Sequence, residues 1–446
     1  MKVVIVGAGE VGLQIARQLT EEAKDVVIIE RDPAQARRAS VALDSIVLTG
    51  DATSLETLKS AGISRTDVFL AVTSIDEVNL ISCFIVSSNF NVPIKIARVR
   101  SENYTKSEVF SSGKADIAYI INTEEEAANE ILDIVEQGAA SSIKIFERVN
   151  IQFRDYFVEA GSYFLGKAVK DIRIGLKEEF IIAGIVRAGE LSIPDGEFII
   201  NEGDAIYIAA DKRTFRRLSK IIGYKNDTLQ KIAILGGTSI GVEVAEVLAA
   251  KGRSVMLIDK DYEHCKTLSE HLPEVLVING EISDGHIVKE ENLADYDAII
   301  CAAKNEELNI LSGAYGKSIG IKRAVAVVET SSYLHLAQSI GIDSTVSPRF
   351  CALNSILKFI RKGSVSDVRS IFDGQAEAIE ITLAADSTLV NVELKELKLP
   401  EDCRIIAVKR WRKNIIPKGN TVLYANDQVL FFVKRSSIAA LEKLIS

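Results

Sequence analysis

The sequence predicts an α/β protein with two Rossmann-like, doubly wound parallel sheets, each followed by a small α+β module. Three observations support this fold class. Short apolar runs alternate with helical patterns over residues 1–122, a glycine-rich turn joins the first run to the first helix, and both features return in the second half. Such alternation is typical of parallel sheets flanked by helices, and its return at a fixed separation indicates an internal duplication.

The first element is the β-branched run at 3–6, which predicts a buried strand. Gly7, Gly9 and Gly12 follow as a G-x-G-x-x-G turn, and helical spacing continues over 13–19. In such a turn the first glycine permits a tight reversal, the second lets a pyrophosphate approach, and the third lets the helix pack closely. The helix N-terminus offers N–H groups and a partial positive charge to an anion. We therefore predict a nucleotide site, with a ligand-free tight turn as the alternative. The predicted contacts are Gly7, Ala8, Gly9, Glu10, Val11 and Gly12.

The rest of the first lobe continues the alternation. Asp32 and Pro33 are typical of an N-cap and a first-turn proline, so a helix is expected directly after the second strand. The remaining predicted strands lie at 26–29, 45–48, 68–72, 94–99 and 118–121, and the remaining predicted helices at 33–43, 55–61, 77–87 and 104–111. This order predicts a mostly parallel sheet.

The pattern then changes and begins again. An amphipathic helix is predicted at 124–137, and strands separated by turn signals follow it. Gly12 corresponds to Gly241 and Glu30 to Asp259 at the same separation, and a second helix is predicted at 350–361. The predicted units are a nucleotide-binding lobe at 1–122, a crossover helix at 123–142, a small module at 143–225, a second lobe at 230–347, a second crossover helix at 348–365 and a second module at 366–446.

Ligands of open parallel sheets bind at the carboxyl ends of the strands. Glu30 ends the second predicted strand, where a carboxylate can take a ribose hydroxyl and repel a 2′-phosphate. Asp51 and Ala52 follow the third strand and could border an adenine, and Asp51 could also cap the helix that begins near residue 55. Thr73 and Ser74 could bind a phosphate or ribose, or cap the next helix.

Arg98 and Arg100 lie two residues apart at the end of the fifth predicted strand. A guanidinium at that place can clamp a phosphate with two hydrogen bonds. The alternative is a structural ion pair with Asp76 or Glu77. We predict that both arginines belong to the nucleotide site.

The second lobe departs from this pattern. Thr238 replaces the middle glycine, and Val327 and Glu329 stand at the positions of Arg98 and Arg100. These changes predict weaker phosphate binding than in the first lobe. The predicted contacts of this second site are Gly236, Gly237, Thr238, Ser239, Ile240 and Asp259.

Composition restricts the function further. The net charge is −9 and no lysine or arginine block occurs, which argues against a nucleic-acid partner. We expect no signal peptide and no membrane span, because no apolar run has the required length or flanks. Five scattered cysteines without a C-x-x-C pair favour reduced thiols in the cytoplasm.

The sequence does not favour an enzyme. All four histidines lie in the second half, away from the better nucleotide motif, and no metal-ligand spacing is present. Tyr163 and Lys167 form a Y-x-x-x-K pattern, but nearby glycines place it at a turn of the small module. We predict no catalytic residue and no metal site, and keep an NAD-dependent oxidoreductase as the alternative.

The residues also resemble a known family. The order G-A-G-E-V-G, Glu30, G-D-A-T, D-E-V-N-L and A-R-V-R-S-E-N-Y, followed by a helix and a β-rich module and then duplicated, is similar to TrkA, with its tandem RCK (KTN plus TrkA-C) units. The resemblance covers essentially the whole chain. It implies a nucleotide site at Gly7 to Val11, Glu30, Thr73, Ser74 and Arg98.

The resemblance also implies ligands and partners. NAD or NADH is the expected cofactor, with ATP and ADP as competing regulatory ligands. The expected partner is a potassium-translocating membrane subunit of the TrkH/KtrB type, under which copies form a homo-oligomeric ring, expected to be a tetramer of tandem units. The protein would then be cytoplasmic and held at the inner face of the membrane by its partner. A regulator of potassium efflux shares this fold and remains an alternative.

Overall fold

The computed structural model spans residues 1–446 and describes all of them except 106, 108–115, 137–142, 147–148, 177, 223–228, 283–284, 361–364, 372–374, 412 and 446. In the described part, the helices and strands form two parallel sheets and two antiparallel sheets in the chain order predicted from the sequence. The fold class is therefore confirmed.

The first lobe is a six-stranded sheet in the order β3-β2-β1-β4-β5-β6, and every neighbouring pair is parallel. Its strands are β1 (Lys2–Val6), β2 (Asp25–Glu30), β3 (Ile46–Thr49), β4 (Val68–Ala71), β5 (Ile94–Arg98) and β6 (Tyr119–Ile121). Its helices are α1 (Glu10–Glu21), α2 (Pro33–Ala42), α3 (Leu55–Ser60), α4 (Asp76–Asn89) and α5 (Glu102–Thr105), with a 3₁₀ turn at Ile63–Arg65.

The local sequence explains where these elements begin and end. Asp32 caps α2 as predicted, because its carboxylate accepts hydrogen bonds from the N–H groups of Ala34 and Gln35. Helix α1 begins at Glu10, three residues before the start of the predicted helical pattern. The predicted helix at 104–111 is described only in part, since 106 and 108–115 lie outside the described residues.

The crossover helix α6 (Thr123–Glu136) leads into the first small module. This module is an antiparallel sheet in the order β10-β9-β11-β8-β7. Its elements are β7 (Ile143–Phe146), β8 (Ile151–Phe157), α7 (Val169–Leu176), β9 (Ile181–Arg187), β10 (Glu190–Ser192), β11 (Ala205–Ala210) and α8 (Lys212–Ile222).

The second lobe repeats the first, with a parallel sheet in the order β14-β13-β12-β15-β16-β17. Its strands are β12 (Lys231–Leu235), β13 (Ser254–Asp259), β14 (Leu276–Asn279), β15 (Ala298–Cys301), β16 (Arg323–Val327) and β17 (Ser344–Val346). Its helices are α9 (Ser239–Ala250), α10 (Tyr262–His271), α11 (Gly285–Glu290), α12 (Glu306–Ser318) and α13 (Ser331–Ser339), with a 3₁₀ turn at Leu293–Asp295.

The second crossover helix, α14 (Pro348–Ile360), leads into the second module, an antiparallel sheet in the order β18-β19-β22-β20-β21. Its elements are β18 (Val365–Ile371), β19 (Ala376–Thr382), β20 (Cys403–Arg410), β21 (Lys413–Ile415), β22 (Gln428–Lys434) and α15 (Ile438–Ile445), with 3₁₀ turns at Leu394–Glu396 and Arg435–Ser437. Each module has its own apolar cluster, and a further cluster spans both modules, where the rings of Phe153 and Phe432 stack with centroids 5.9 Å apart.

The two halves exchange their crossover helices. Helix α6 buries its apolar stripe, including Ile131, in the core of the second lobe, and α14 buries Leu353 and Ile356 in the core of the first. Each fully buried side chain of this kind contributes about 1.5–3 kcal/mol. The amphipathic pattern predicted that α6 is buried, but the partner surface is the other lobe. The exchange therefore fixes the two glycine-rich turns relative to each other.

Candidate functional site

The first glycine turn has the geometry that its sequence predicts. Gly7 has a φ of +100°, a conformation that side chains other than glycine rarely adopt. A β-carbon at Gly12 would lie 2.0 Å from the carbonyl oxygen of Gly7, so only glycine fits where α1 passes the turn. A β-carbon at Gly9 would meet no atom within 4 Å, which leaves the space in front of the turn open. The fold requires two of the glycines, and Gly9 leaves room for a ligand.

Glu30 holds this turn in place. Its Oε2 accepts a hydrogen bond of 2.6 Å from the N–H of Ala8, and its Oε1 accepts one of 2.8 Å from the N–H of Asp32. In the second lobe Asp259 does the same, with 2.7 Å to the N–H of Gly237 and 2.9 Å to that of Asp261. The carboxylate thus orders the backbone of the turn, and its contact with a ribose stays a prediction.

Asp51 has a local partner. Its Oδ1 accepts hydrogen bonds from the N–H of Thr53 at 2.8 Å and from its hydroxyl at 2.7 Å. The N–H donor at Thr53 holds the pKa of Asp51 below its ordinary value. Ser54, not Asp51, is the N-cap of α3, so the capping alternative for Asp51 is wrong. Ala52 is buried beside it, and its place near an adenine stays a prediction.

A buried asparagine that the sequence reasoning missed organises the carboxyl ends of β4 and β5. The Oδ1 of Asn79 accepts the N–H of Thr73 at 2.9 Å, and its Nδ2 donates to the carbonyls of Thr73 at 3.0 Å and Arg98 at 2.8 Å. Asn309 makes the equivalent bonds with Ala303 and Val327 in the second lobe. The repeated D-E-V-N and E-E-L-N motifs were the available signal.

Thr73, Ser74 and Arg100 form a second local network. The N-cap position of α4 is Ile75, and the hydroxyl of Thr73 lies 2.8 Å from Oδ1 of Asn79. Arg100 donates from its guanidinium to the carbonyl of Ser74, and its Nε lies 3.8 Å from Oδ1 of Asp76. The structure therefore contains the ion pair with Asp76 that we considered as the alternative for Arg100.

Arg98 has a buried donor that none of the described residues uses. Its Nη2 donates to the hydroxyl of Thr123 at 3.1 Å, whereas its buried Nε has no hydrogen-bond partner among the described residues. Burial holds the pKa of Arg98 below its ordinary value, although the carboxylate of Glu124 opposes this shift. Buried polar atoms are nearly always hydrogen-bonded, so this donor is suited to an anion that enters the site.

The second turn keeps the backbone but closes the opening. Gly236 has a φ of +103°, and a β-carbon at Gly241 would lie 2.1 Å from the carbonyl oxygen of Gly236. Thr238 caps α9, accepting the N–H of Gly241 at 3.3 Å and donating to the carbonyl of Ala302 at 2.7 Å. Its side chain fills the place that Gly9 leaves open. Ser239 and Ile240 then begin α9, and their contact with a ligand stays a prediction.

The second lobe also contributes side chains near the first turn. Arg349 at the start of α14 forms an ion pair of 2.9 Å with Glu10, the residue after Gly9. Glu329 lies beside Arg349 and interacts electrostatically with Arg98. Arg349 was not among the predicted site residues, because only the exchange of α14 brings it to the first lobe.

The Y-x-x-x-K pattern lies outside the two lobes. Lys167 lies over the ring of Tyr163 at 3.3 Å in the first module, so the Y-x-x-x-K pattern forms a cation–π contact outside the lobes. Within the described ranges, no group of three or more His, Cys, Asp or Glu side chains could hold a metal ion. Among the same residues, no helix is both long and apolar enough to cross a membrane.

Comparison with known proteins agrees with the duplicated order. The TrkA-N domain model matches residues 3–123 and 232–348, and the TrkA-C domain model matches residues 154–223 and 378–446. The Trk system potassium uptake protein TrkA homolog of Archaeoglobus fulgidus is 31% identical over 444 residues, covering 100% of both chains. TrkA homolog 1 of Methanosarcina mazei is 30% identical over 450 residues and covers 99% of both chains.

Solved structures show the same fold. The GsuK RCK domain is 19% identical, with a TM-score of 0.58 over 100% of this chain and 94% of that chain. The GsuK channel bound to NAD is also 19% identical, with a TM-score of 0.58 over 100% of this chain and 78% of that chain. At 19% identity this likeness shows the fold alone, which is the RCK fold. The TrkA-N and TrkA-C domain models together match most of the sequence. The chain belongs to the TrkA family of Trk system potassium uptake proteins.

Proposed function

We propose that the chain is a nucleotide-sensing regulatory subunit that gates a potassium-translocating membrane protein of the TrkH/KtrB type. The first lobe binds NAD or NADH, and ATP and ADP compete for the same site. The protein binds these nucleotides without transforming them. Its family and the potassium uptake role in the names of its relatives support the potassium link.

The observation that carries this proposal is the open first turn together with the half-buried Arg98 at the end of β5. Glu30 fixes the backbone of the turn, Gly9 leaves space in front of it, and Nε of Arg98 has no hydrogen-bond partner in the described part of the chain. Helix α1 begins at this space, and its N-terminus favours negative charge. These features together suit the phosphates of a nucleotide.

The mechanism is a conformational one. Nucleotides with different phosphate charge and reach favour different arrangements of the two lobes. Because α6 and α14 are each buried in the opposite lobe, a shift at one site is passed to the other lobe and to both modules. A coupling free energy of about 1–3 kcal/mol is sufficient to bias a gate.

Apolar side chains on α4 and α12 support assembly into a ring of copies. Ile81 and Phe84 on α4 and Leu311 on α12 are more than half exposed, although helices of a lobe ordinarily turn such residues inward. The two helices occupy equivalent places in the two lobes, so each can pair with its counterpart in another copy. We propose that this ring, a tetramer of tandem units, lies at the inner face of the membrane through its channel partner.

Titration calorimetry on the purified full chain tests the ligand assignment. We expect binding of NADH and of ATP, with each reducing the apparent affinity for the other. Small-angle scattering should then give different ring shapes with the two ligands. Absence of binding at millimolar nucleotide would overturn the proposal, and identical shapes would overturn the switch.

Two further measurements separate the alternatives. Steady NADH absorbance in the presence of candidate acceptors is expected, whereas its loss would favour an oxidoreductase. Co-reconstitution with a TrkH-type or an efflux-type membrane protein should change potassium flux only with the uptake partner.

A further inference from the structure

We propose that Arg349, supplied by the second lobe, is the residue by which the first nucleotide site distinguishes nucleoside triphosphates from NAD(H). Glu10 is its counter-ion in the structure, and in a complex with a triphosphate the terminal phosphate takes the place of that carboxylate. This inference rests on the proposed function, since it assigns a specificity residue to the same site.

The fold holds Arg349 firmly at this place. It is the second residue of α14, whose apolar side chains are buried in the core of the first lobe. Its side chain is 13% exposed, and its Nη1 lies 2.9 Å from Oε2 of Glu10. Its Nη2 donates to the backbone carbonyl of Glu329. The bond to the Glu329 carbonyl holds the guanidinium at the interface when its anionic partner changes.

The position of Glu10 allows it to give up its ion pair with Arg349. It begins α1 directly after Gly9, at the helix end that the proposed phosphates approach, and its side chain is 79% exposed. A polyphosphate at this helix end would repel the carboxylate, and solvent is available to receive it. The Arg349 guanidinium would then be available to form an ion pair with a bound phosphate.

Two buried donors at this interface have no acceptor in the part of the chain that the structure describes. The buried Nε of Arg349 has no hydrogen-bond partner among the residues described, and Oε2 of Glu329 is 3.8 Å away. The buried Nε of Arg98 is in the same condition, and Glu329 interacts electrostatically with both arginines. A phosphate oxygen is the acceptor that two such cations favour.

The charge of the ligand decides which nucleotide Arg349 stabilises more. The pyrophosphate of NAD(H) is followed by an uncharged ribose and by a nicotinamide ring that is cationic in NAD and neutral in NADH, whereas a triphosphate carries a further anionic group. Arg349 thus stabilises the triphosphate more than NAD(H).

The arrangement is confined to one of the two sites. Glu124 is the second residue of α6, as Arg349 is of α14, and Ser239 begins α9 as Glu10 begins α1. The equivalent of the Arg349–Glu10 pair is therefore a glutamate and a serine, which offer no cation to a phosphate. The first site alone has this means of distinguishing nucleotides.

The test uses calorimetry on the full chain with ATP and with NADH. Arg349→Gln is expected to raise the Kd for ATP at least tenfold and to leave that for NADH within twofold, and Arg349→Lys should recover most of the ATP affinity. The matched control is Arg253→Gln, since Arg253 is a second-lobe arginine with a 14% exposed side chain and an ion pair with Glu136 away from the site.

Glu10→Gln tests the same pair from the exposed side, where folding is not at risk. It should lower the Kd for ATP by two- to fivefold, because the competing carboxylate is removed. Equal changes for ATP and NADH in Arg349→Gln, or no change for ATP in Glu10→Gln, would overturn the inference. Failure of the unaltered chain to bind either nucleotide would instead overturn the proposed function.

Discussion

The two glycine turns of this chain share a backbone and differ in what they leave open. Both have a glycine with positive φ, a close helix passage and a carboxylate that fixes the turn. In the first turn, Gly9 leaves open space, and Nε of Arg98 has no hydrogen-bond partner among the described residues. In the second, the Thr238 side chain occupies the equivalent place, and Val327 stands where the first lobe has Arg98. The fold therefore preserves the turn for stability, and a few side chains decide whether it is suited to phosphate.

The sharpest test of this comparison is to replace the equivalent glycine of each turn by alanine. Gly12→Ala and Gly241→Ala each place a β-carbon about 2 Å from a carbonyl oxygen. Such overpacking should lower the free energy of unfolding by about 1–3 kcal/mol in either variant. Only Gly12→Ala should also raise the Kd for NADH, on the order of 100-fold, or about 2.7 kcal/mol.

Thermal unfolding and calorimetry on both variants measure these two effects. Gly9→Ala is the control in the same turn, because its β-carbon meets no protein atom and should leave stability nearly unchanged. A comparable loss of NADH binding in Gly241→Ala would show that the two sites are equal.

Arg98→Ala examines the cation that the second lobe lacks. Removing a charge-assisted hydrogen bond should cost about 2 kcal/mol, or roughly a 30-fold rise in the Kd for ATP. The loss should be smaller for AMP, because a monophosphate carries less charge. Calorimetry with both nucleotides checks the difference.

Arg100→Ala is the matched control for this change. Its guanidinium is already bound to the carbonyl of Ser74 and faces Asp76, so its removal should weaken ATP binding less. Equal losses for ATP and AMP in Arg98→Ala would contradict a phosphate clamp.

Thr238→Gly asks whether the second turn can be opened. Removing the side chain restores the space found at Gly9, and we expect about a fivefold gain in nucleotide affinity at the second site, near 1 kcal/mol. The loss of the bond to Ala302 should lower stability by about 1 kcal/mol.

A second binding step in the calorimetric titration would reveal the gain. Thr238→Ala is the control, because it loses the same hydrogen bond but keeps a β-carbon in the opening. If both variants bind alike, access to the backbone is not what limits the second site.

Local patterns predicted most of the fold and part of the candidate site. The glycine turns, the acids at Glu30 and Asp259, and the α2 cap at Asp32 are properties of a few neighbouring residues, and the structure contains each of them. Arg98 was identified because it ends a strand at the ligand edge of a parallel sheet. Its contact with a ligand stays a prediction.

Long-range features were beyond this reasoning. An apolar stripe on α6 predicts burial but carries no information on which lobe covers it, so the helix exchange was missed. Arg349 and Glu10 are distant in sequence and meet only because of that exchange. Asn79 lies inside an ordinary helical pattern, and its role depends on two carbonyls at the ends of separate strands.

The smallest expected effect concerns the carboxylate that orders the loop after β16. Burial alone would raise the pKa of Glu306, but hydrogen bonds from the hydroxyl of Thr330 and from the N–H groups of Thr330 and Glu329 hold it below its ordinary value. A lowered pKa means that this stabilisation is complete above the unfolded pKa and is lost as the pH falls through the folded one. Glu306→Gln should therefore reduce the free energy of unfolding by about 0.5–1 kcal/mol at pH 7, with a smaller difference in acid.

Urea unfolding of both proteins at pH 7 and at successively lower pH measures this change. Glu307→Gln is the control, since it alters the same charge one residue along α12, where the carboxylate accepts only a 3.2 Å bond from the Tyr333 hydroxyl among the described contacts. Because Asp76 accepts the N–H groups of Arg100 and Ser101 in the same way, the loop is held by an acid in both lobes. A pH-independent difference for Glu306→Gln would mean that side-chain packing, not the ionised carboxylate, holds the loop, and the likeness between the lobes would then be one of shape alone.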